Sequence, residues 1–183
     1  MLEDKVIIVD RNDKEIGIGE IMKTHQEGKL HRGFSVFIVN SKYEMLLQKR
    51  AGTKYHSGGL WTNTCCSHPR PGELIEEAAH RRLREEMGFD CELKEIFSFT
   101  YRTQFSNNLF EHEYDHVLLG EADGAPTPDP EEVCDWEWRD IEELGKSIKD
   151  NPEVYTYWFK ACFDKVIPYL SGSRKTRQPD CGG

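Results

Sequence analysis

Residues 62–89 read TNTCCSHPRPGELIEEAAHRRLREEMGF. Two adjacent cysteines and a histidine precede a Pro/Gly turn, and a highly charged segment follows it. Apolar residues recur every four positions in that segment and predict a helix over residues 73–87: Ile75, Ala79, Leu83 and Met87. Gly88 stands where a helix C-terminal cap is expected. Reactive side chains are denser here than elsewhere in the chain, so this stretch is the predicted centre of a functional site.

The segments around this stretch predict the fold class. Strands are predicted over residues 6–10, 16–22, 31–40, 43–50, 60–66, 92–103, 109–121 and 132–139. Residues 24–28 and 51–59 are predicted loops, and further helices are predicted over 141–149 and from 152 to about 170. Strands and helices do not alternate regularly, which indicates an α+β fold with helices covering a mixed sheet.

Length and composition predict the domain organisation. The 183 residues contain 37% hydrophobic and 31% charged residues, which is typical of one globular domain, here residues 1–170. Residues 171–183 are rich in Gly, Ser, Arg and Lys and are a predicted disordered tail.

Charge and hydropathy restrict the partners. A net charge of −9 argues against a general nucleic-acid surface. The chain has no apolar run of about 18 residues, so no membrane span is predicted. We expect a cytoplasmic protein, monomeric or weakly homodimeric, whose six cysteines are thiols.

The predicted central helix carries four charged residues at salt-bridge spacing. Arg81 and Glu85, and Arg82 and Glu86, are each four positions apart. One interpretation is a solvated, salt-bridged helix face. The other is that these residues handle a metal-bound diphosphate, because carboxylates hold Mg²⁺ while Mg²⁺ and Arg neutralise phosphate oxygens.

Two carboxylates share one face of a predicted strand. In FEHEYDH, Glu111 and Glu113 are two positions apart and point to the same side, while His112 points to the other. Two like charges in a pocket raise the pKa of one group or require a metal. The alternative is an exposed polar strand edge.

Three histidines complete a possible ligand set. His25, His31 and His68 lie near predicted turns and strand starts. With the two glutamates they would supply nitrogen and oxygen ligands for Mn²⁺, Zn²⁺ or a related ion, provided that the fold brings them together. The alternative is that each histidine is structural or exposed.

The adjacent cysteines are expected to point to opposite faces of a strand. Cys66 is the better functional candidate, because His68 lies two positions on and shares its face. Cys65 would then lie in the core. The alternative is two buried thiols that pack as small hydrophobic groups.

Taken together, WTNTCCSHPRPGE and AAHRRLREEMGF resemble the signature of the type 1 isopentenyl-diphosphate Δ-isomerases, a branch of the Nudix-fold superfamily. The general Nudix pattern, Gly-x5-Glu-x7-Arg-Glu-apolar-x-Glu-Glu-x-Gly-apolar, can be laid over residues 67–89. Ser67 replaces its first Gly, and Arg82 replaces the first Glu of the helix. The lost Glu weakens a hydrolase interpretation, and an Arg at that position resembles the isomerase branch.

The resemblance implies a Nudix-type fold and the conversion of isopentenyl diphosphate to dimethylallyl diphosphate, a step of isoprenoid biosynthesis. The double bond moves by protonation and deprotonation through a tertiary carbocation. The family's reacting Cys and Glu correspond to Cys66 and Glu113. Tyr101 corresponds to the residue that assists the Glu, and Trp158 to the aromatic residue that stabilises the cation.

The resemblance also implies two metal sites and a diphosphate site. A transition-metal site, for Mn²⁺ or Zn²⁺, corresponds to His25, His31, His68, Glu111 and Glu113. Mg²⁺ would bridge the diphosphate to Glu86 and the Cys66 carbonyl. The diphosphate-binding cations correspond to Arg50, Lys54 and Arg82. Ile21 stands where the family often carries a lysine, and Lys23 is the candidate replacement.

Two alternatives remain beside the isomerase. A Nudix hydrolase would cleave a nucleoside or other diphosphate; it needs neither Cys66 nor the glutamate pair, but it requires a carboxylate where Arg82 stands. A Nudix-like binding module that has lost catalysis would not need an intact set of ligands.

Overall fold

A computed structural model describes residues 5–170. The predicted tail, 171–183, lies outside the described residues. The described strands are β1 Lys5–Val9, β2 Glu15–Glu20, β3 His31–Val39, β4 Glu44–Arg50, β5 Trp61–Thr62, β6 Cys65–Ser67, β7 Leu93–Gln104, β8 Phe110–Glu121 and β9 Val133–Asp140. The helices are α1 Ile21–Glu27, α2 Ile75–Met87, α3 Ile141–Asp150 and α4 Tyr157–Leu170. No helix within the described range is long and apolar enough to span a membrane.

The strands form one mixed, branched sheet, which confirms the predicted α+β class. β3 lies at its centre and pairs with β1, β4 and β6 in antiparallel fashion. It pairs with β8 in parallel, with His31 opposite Glu113. β7 and β8 form a long antiparallel hairpin, and β9 pairs with β4. The parallel pair brings the predicted histidine and glutamate ligands to one end of the sheet.

Hydrophobic side chains alternate along β3 and pack into two cores, one on each face of the sheet. Phe37 and Val39 pack with side chains of α3 and α4. Val36 and Ile38 face the other way and pack with the apolar stripe of α2. Both faces of β3 are therefore buried, and only the ends of this strand are available to contribute to a functional site.

The apolar stripe and the terminal glycine that predicted α2 are both present in the structure. Of this apolar stripe, Ala79, Leu83 and Met87 are fully buried and Ile75 partly so. Glu77 accepts a hydrogen bond from the Leu74 N–H, and Gly88 follows the helix in a left-handed conformation with φ of 72°. The helix begins at Ile75, two residues later than predicted, because the chain at Leu74 is still extended.

The predicted loop at 24–28 is wrong. β2 ends at Glu20, α1 follows directly and ends at Glu27, and Gly28 caps it in a left-handed conformation. The buried residues of this helix are Thr24 and His25, so it has no apolar stripe that periodicity could detect. Its formation depends on contacts with the sheet rather than on its own sequence.

The predicted helix over 152–170 is interrupted. Residues Pro152–Val154 form a 3-10 turn, and α4 begins only at Tyr157. Between them the Thr156 N–H donates to the Trp61 carbonyl at 2.9 Å, and Tyr155 is buried with its hydroxyl beside Ser147. The chain is extended here because it pairs with β5 instead of continuing a helix.

The predicted strand 60–66 is divided into β5 and β6. At the division, the Asn63 amide donates to the Val36 carbonyl and the Thr64 hydroxyl to the Leu46 carbonyl. These bonds connect the segment to β3 and β4, so β6 can pair with β3 while β5 pairs with β4.

Candidate active site

A cavity of about 490 Å³ opens at the end of the sheet where β4, β6, β7 and β8 meet α2. Its volume is within the usual range for small-molecule sites. Most of the predicted site residues line it: Arg50, Lys54, Cys66, His68, Arg82, Glu86, Tyr101, Glu111, Glu113 and Trp158. His25 and His31 are fully buried and contact Glu111 at the cavity wall.

Four of the predicted ligands converge. The donor atoms of His25, His31, His68 and Glu111 all lie within 4.8 Å of one another. His25 Nε2 is 2.9 Å from Glu111 Oε1, and the Nε2 atoms of His31 and His68 are 3.2 Å apart. These side chains come from α1, β3, the end of β6 and β8, so only the folded sheet assembles them.

This group fits a divalent cation. Its nitrogen and carboxylate donors are those that Mn²⁺ and Zn²⁺ accept in proteins. His31 Nδ1 donates to the Lys29 carbonyl at 2.9 Å, so Nε2 is the ring nitrogen that faces the group. Burial lowers the pKa of His68, more than Glu113 beside it raises that pKa, which favours the neutral imidazole that a metal requires.

Glu113 is held through both carboxylate oxygens. Oε1 lies 2.7 Å from His68 Nε2, and Oε2 accepts a hydrogen bond from the Tyr101 hydroxyl at 2.6 Å. Burial raises the pKa of Tyr101 well above its usual value, and the charge of Glu113 raises it further. Tyr101 therefore remains a phenol that donates to Glu113.

Cys65 and Cys66 point to opposite sides, as the strand alternation predicts. Cys65 is fully buried in the core beneath α2, whereas Cys66 lines the cavity. Burial raises the pKa of the Cys66 thiol to about 12, although Arg50 opposes this shift. The Arg50 guanidinium approaches the sulfur to 4.0 Å. Cys66 is thus a neutral thiol at physiological pH.

The other end of the cavity is formed by charged residues of α2 and its neighbours. Arg82 contacts Glu86 at 2.6 Å and Glu132 at 3.2 Å, and Lys54 pairs with Glu132 as well. Gln48 donates to the second oxygen of Glu86 at 2.9 Å. Two cations and two carboxylates therefore stand side by side at the cavity wall. This is the arrangement expected for a diphosphate and its metal.

Each of the two interpretations of the α2 charges fits one pair: a solvated helix face fits Arg81–Glu85, and a site for a metal-bound diphosphate fits Arg82–Glu86. The Arg81–Glu85 pair, at 3.2 Å, includes a glutamate side chain that is 41% exposed, as on an ordinary solvated face. The Arg82–Glu86 pair includes a glutamate side chain that is 5% exposed.

Arg50 is a buried cation at the cavity wall with no carboxylate partner within residues 5–170. Its guanidinium carbon lies 5.2 Å from the centre of the Trp158 ring, and Nη2 is 3.5 Å from the His56 carbonyl. A buried charge without a counter-ion is costly, so this position is suited to an anionic ligand.

Lys23 does not reach the cavity. Its side chain is 65% exposed and lies 3.9 Å from Glu27. Ile21 and Lys5 line the cavity instead, Lys5 from the adjacent strand β1. Lys5 is exposed and has no carboxylate partner among the described residues.

Besides Gln48, the buried residues Asp115 and His56 lie at the site and were not identified from the sequence. Asp115 follows Glu113 on the same face of β8, and Ser35 donates to its Oδ2 at 2.9 Å. Burial, and then the charge of Glu113, raise the pKa of Asp115 well above its usual value. The alternation that selected the glutamates could have found Asp115. His56, whose Nε2 lies 2.8 Å from Glu111 Oε2, is in a loop where no periodicity points to it.

Comparison with known proteins identifies the family. The NUDIX domain family matches residues 29–161. The chain is 54% identical to isopentenyl-diphosphate Delta-isomerase 2 of Aromatoleum aromaticum, over 91% of this chain and 88% of that protein. This chain belongs to the isopentenyl-diphosphate Delta-isomerases. Another member, isopentenyl-diphosphate Delta-isomerase 2 of Photorhabdus laumondii, is 52% identical over 93% of this chain and 94% of its own.

Solved structures support the fold of this isopentenyl-diphosphate Delta-isomerase family member. The DR0079 protein of Deinococcus radiodurans superposes with a TM-score of 0.74 at 18% identity, covering 88% of this chain and 98% of its own. A MutT protein of Methanosarcina mazei gives a TM-score of 0.63 at 17% identity, covering 76% and 94%. At these identities the likeness extends to the fold alone. Together with the match to the NUDIX domain family, it confirms the predicted Nudix-type fold.

Proposed function

We propose that this protein converts isopentenyl diphosphate to dimethylallyl diphosphate. The observation that carries the proposal is the presence of a neutral thiol, Cys66, and a doubly held carboxylate, Glu113, in one cavity whose other end is cationic. The relatives at about half identity that are named for this reaction support it. The arrangement matches a small substrate with a reactive alkene at one end and a diphosphate at the other.

The reaction needs one proton donor and one proton acceptor. A proton is added to the terminal alkene carbon, the double-bond electrons form the new C–H bond, and a tertiary cation remains. Loss of a proton from the carbon nearer the diphosphate then forms the internal double bond. Cys66 and Glu113 are the pair we assign to these transfers. Because the isomerisation is reversible, the donor of one direction is the acceptor of the other.

Two further residues would act on this pair and on the cation. Tyr101 donates to Glu113 Oε2 at 2.6 Å and so fixes the carboxylate while its proton affinity changes. Trp158 is 3% exposed and lines the cavity. The face of its indole would stabilise a desolvated carbocation by about 2 kcal/mol.

We assign divalent metals to two places. Mn²⁺ or Zn²⁺ suits the group His25, His31, His68 and Glu111, with Glu113 as a neighbouring fifth ligand. Mg²⁺ suits Glu86 and the Cys66 carbonyl beside the bound diphosphate. When bound, the first ion supplies positive charge that tunes the proton affinity of Glu113, and the second neutralises phosphate oxygens.

The diphosphate is assigned to the cations Arg50, Lys54 and Arg82. Lys54 and Arg82 already share Glu132, and Arg50 has no carboxylate partner within residues 5–170. A hydrolase is less supported, since Arg82 stands where a Nudix hydrolase requires a carboxylate. Family membership and the thiol both favour the isomerase.

The decisive experiment is incubation of the purified protein with isopentenyl diphosphate and Mg²⁺. We expect dimethylallyl diphosphate and no released phosphate. Cys66→Ala and Glu113→Gln should each abolish conversion while the thermal unfolding curve stays cooperative. Cys134→Ala removes an exposed thiol outside the cavity and should convert at the wild-type rate. Phosphate release without isomer, or near wild-type turnover by Cys66→Ala, would overturn the assignment.

A further inference from the structure

His56 is a buried histidine that the proposed reaction does not use. It lies in the loop 51–60 between β4 and β5, yet it is only 8% exposed. Its Nε2 is 2.8 Å from Glu111 Oε2, and its Nδ1 is 3.3 Å from the Ser57 hydroxyl. Because an ionised carboxylate only accepts, His56 carries its proton on Nε2 and donates it to Glu111.

The two oxygens of Glu111 have separate partners. Oε1 faces the ligand group, at 2.9 Å from His25 Nε2 and 3.3 Å from His31 Nε2. Oε2 faces His56. A carboxylate that binds a metal through one oxygen can rotate about its terminal bond unless the second oxygen is held. The hydrogen bond from His56 removes that rotation.

The His56 ring is itself fixed by aromatic neighbours. It stacks on Phe105 with ring centres 4.4 Å apart and planes 9° from parallel. The Trp158 ring meets it edge-on at 5.8 Å. The backbone of the loop is also held, since Asn107 donates to the Tyr55 carbonyl at 3.0 Å. Because the His56 ring is held on several sides, it can hold the Glu111 carboxylate in one orientation.

We propose that His56 is a positioning residue that orients Glu111 for binding of the transition metal by the histidine group. It does so from a loop that also carries Lys54, a diphosphate-binding cation in the proposed function. The loop therefore connects the metal end of the cavity to the anion end. This inference rests on the proposed metal site, but it makes a claim about metal affinity that does not depend on which reaction the protein catalyses.

The test compares two substitutions that separate the hydrogen bond from the ring. His56→Phe keeps a ring against Phe105 and Trp158 but removes the donor. His56→Gln removes the ring but places an amide N–H close to the original Nε2. We expect His56→Phe to bind Mn²⁺ ten- to a hundredfold more weakly than wild type, and His56→Gln to recover most of the affinity.

Affinity is measured on the metal-stripped full chain by Mn²⁺ titration, with free Mn²⁺ followed by electron paramagnetic resonance in the absence of substrate. His80→Phe is the matched control, because it removes another histidine–carboxylate contact, 2.6 Å from Asp90, outside the cavity. It should bind Mn²⁺ like wild type. Wild-type affinity in His56→Phe overturns the proposal, and so does a His56→Gln affinity as low as that of His56→Phe.

The outcome is independent of the isomerase assay. Loss of Mn²⁺ affinity in His56→Phe supports the positioning role even if the protein forms no dimethylallyl diphosphate. Unchanged affinity in a fully active isomerase overturns the positioning role and leaves the proposed function intact.

Discussion

The carboxylate of Glu113 lies directly against the backbone of Gly33. A Cβ atom on Gly33 would come within 2.6 Å of the carboxylate carbon and within 2.7 and 2.8 Å of its two oxygens. His68 and Tyr101 hold those oxygens, so the carboxylate has no room to retreat without losing one of them. The absence of a side chain at Gly33 on β3 thus makes the space that the Glu113 carboxylate of β8 occupies.

A single added methyl group should therefore disable the site. We predict that Gly33→Ala lowers kcat at least about a hundredfold, because it displaces the carboxylate by a distance comparable to a bond length. The overpacking should cost about 1–3 kcal/mol of the free energy of unfolding. Gly17→Ala is the control, since nothing lies within 4 Å of its added Cβ. Steady-state kinetics and thermal unfolding measure both effects, and wild-type kcat in Gly33→Ala would contradict the prediction.

Lys5, rather than Lys23, should contribute to substrate binding. Lys5 lines the cavity from β1, whereas Lys23 faces solvent beside Glu27. We predict that Lys5→Ala raises KM about two- to fivefold, as for an exposed ion pair, with kcat nearly unchanged. Lys23→Ala should leave both constants alone. Ile21→Lys should lower the KM of Lys5→Ala again, because position 21 also lines the cavity. A larger KM effect from Lys23→Ala than from Lys5→Ala would contradict this assignment.

Arg50 should stabilise the complex with a bound anion, but it should not contribute to the stability of the free protein. It is 9% exposed and has no carboxylate partner within residues 5–170. We predict that Arg50→Met leaves the Tm of the free protein unchanged or higher, while the rise in Tm caused by Mg²⁺ and inorganic diphosphate disappears.

Arg32→Met provides the comparison for this experiment. Arg32 donates to Asp13 at 2.7 Å away from the cavity, so its loss should lower stability by about 1 kcal/mol and leave the diphosphate effect intact. Differential scanning fluorimetry measures all four quantities. A normal diphosphate-induced rise in Arg50→Met would show that this cation does not contact the anion.

The raised pKa of Cys66 predicts slow alkylation. Because the pKa of Cys66 is about 12, the thiol predominates at every pH below that value. Only the thiolate reacts with iodoacetamide. At pH 8 the thiolate fraction should be about a thousandfold lower than for a thiol of ordinary pKa near 9, and labelling should accelerate as the pH rises toward 11. Peptide mapping can follow each thiol separately, with exposed Cys134 as the internal reference. Labelling of Cys66 at pH 8 as fast as that of Cys134 would refute the shift.

Hydrophobic periodicity in the sequence predicted the helices and strands that bury one regular face. The stripe of α2 and the alternation along β3 and β8 are visible in the sequence because each buried face is apolar or chemically uniform. The same alternation placed Glu111 and Glu113 on one face and separated Cys65 from Cys66, and the structure agrees in both cases.

The site could not be predicted where tertiary contacts decide local conformation. A strand through residues 21–23 would put Ile21 and Lys23 on one face, but in α1 they lie about 200° apart around the helix axis. Lys23 is therefore turned away from the cavity. His56 lies in an irregular loop, and its burial depends on Glu111, Phe105 and Trp158, which are distant in sequence.

The parallel pairing of β3 with β8 determines when, during folding, the proposed metal site can form. His25 and Glu111 are 86 positions apart, and they meet only when this pairing has formed. Closing so long a segment is slow compared with forming the local β7–β8 hairpin or α2. A refolding chain should therefore acquire high affinity for the metal proposed to bind His25 and Glu111 late, after most of its secondary structure has formed. Metal uptake during refolding would then report completion of the native topology.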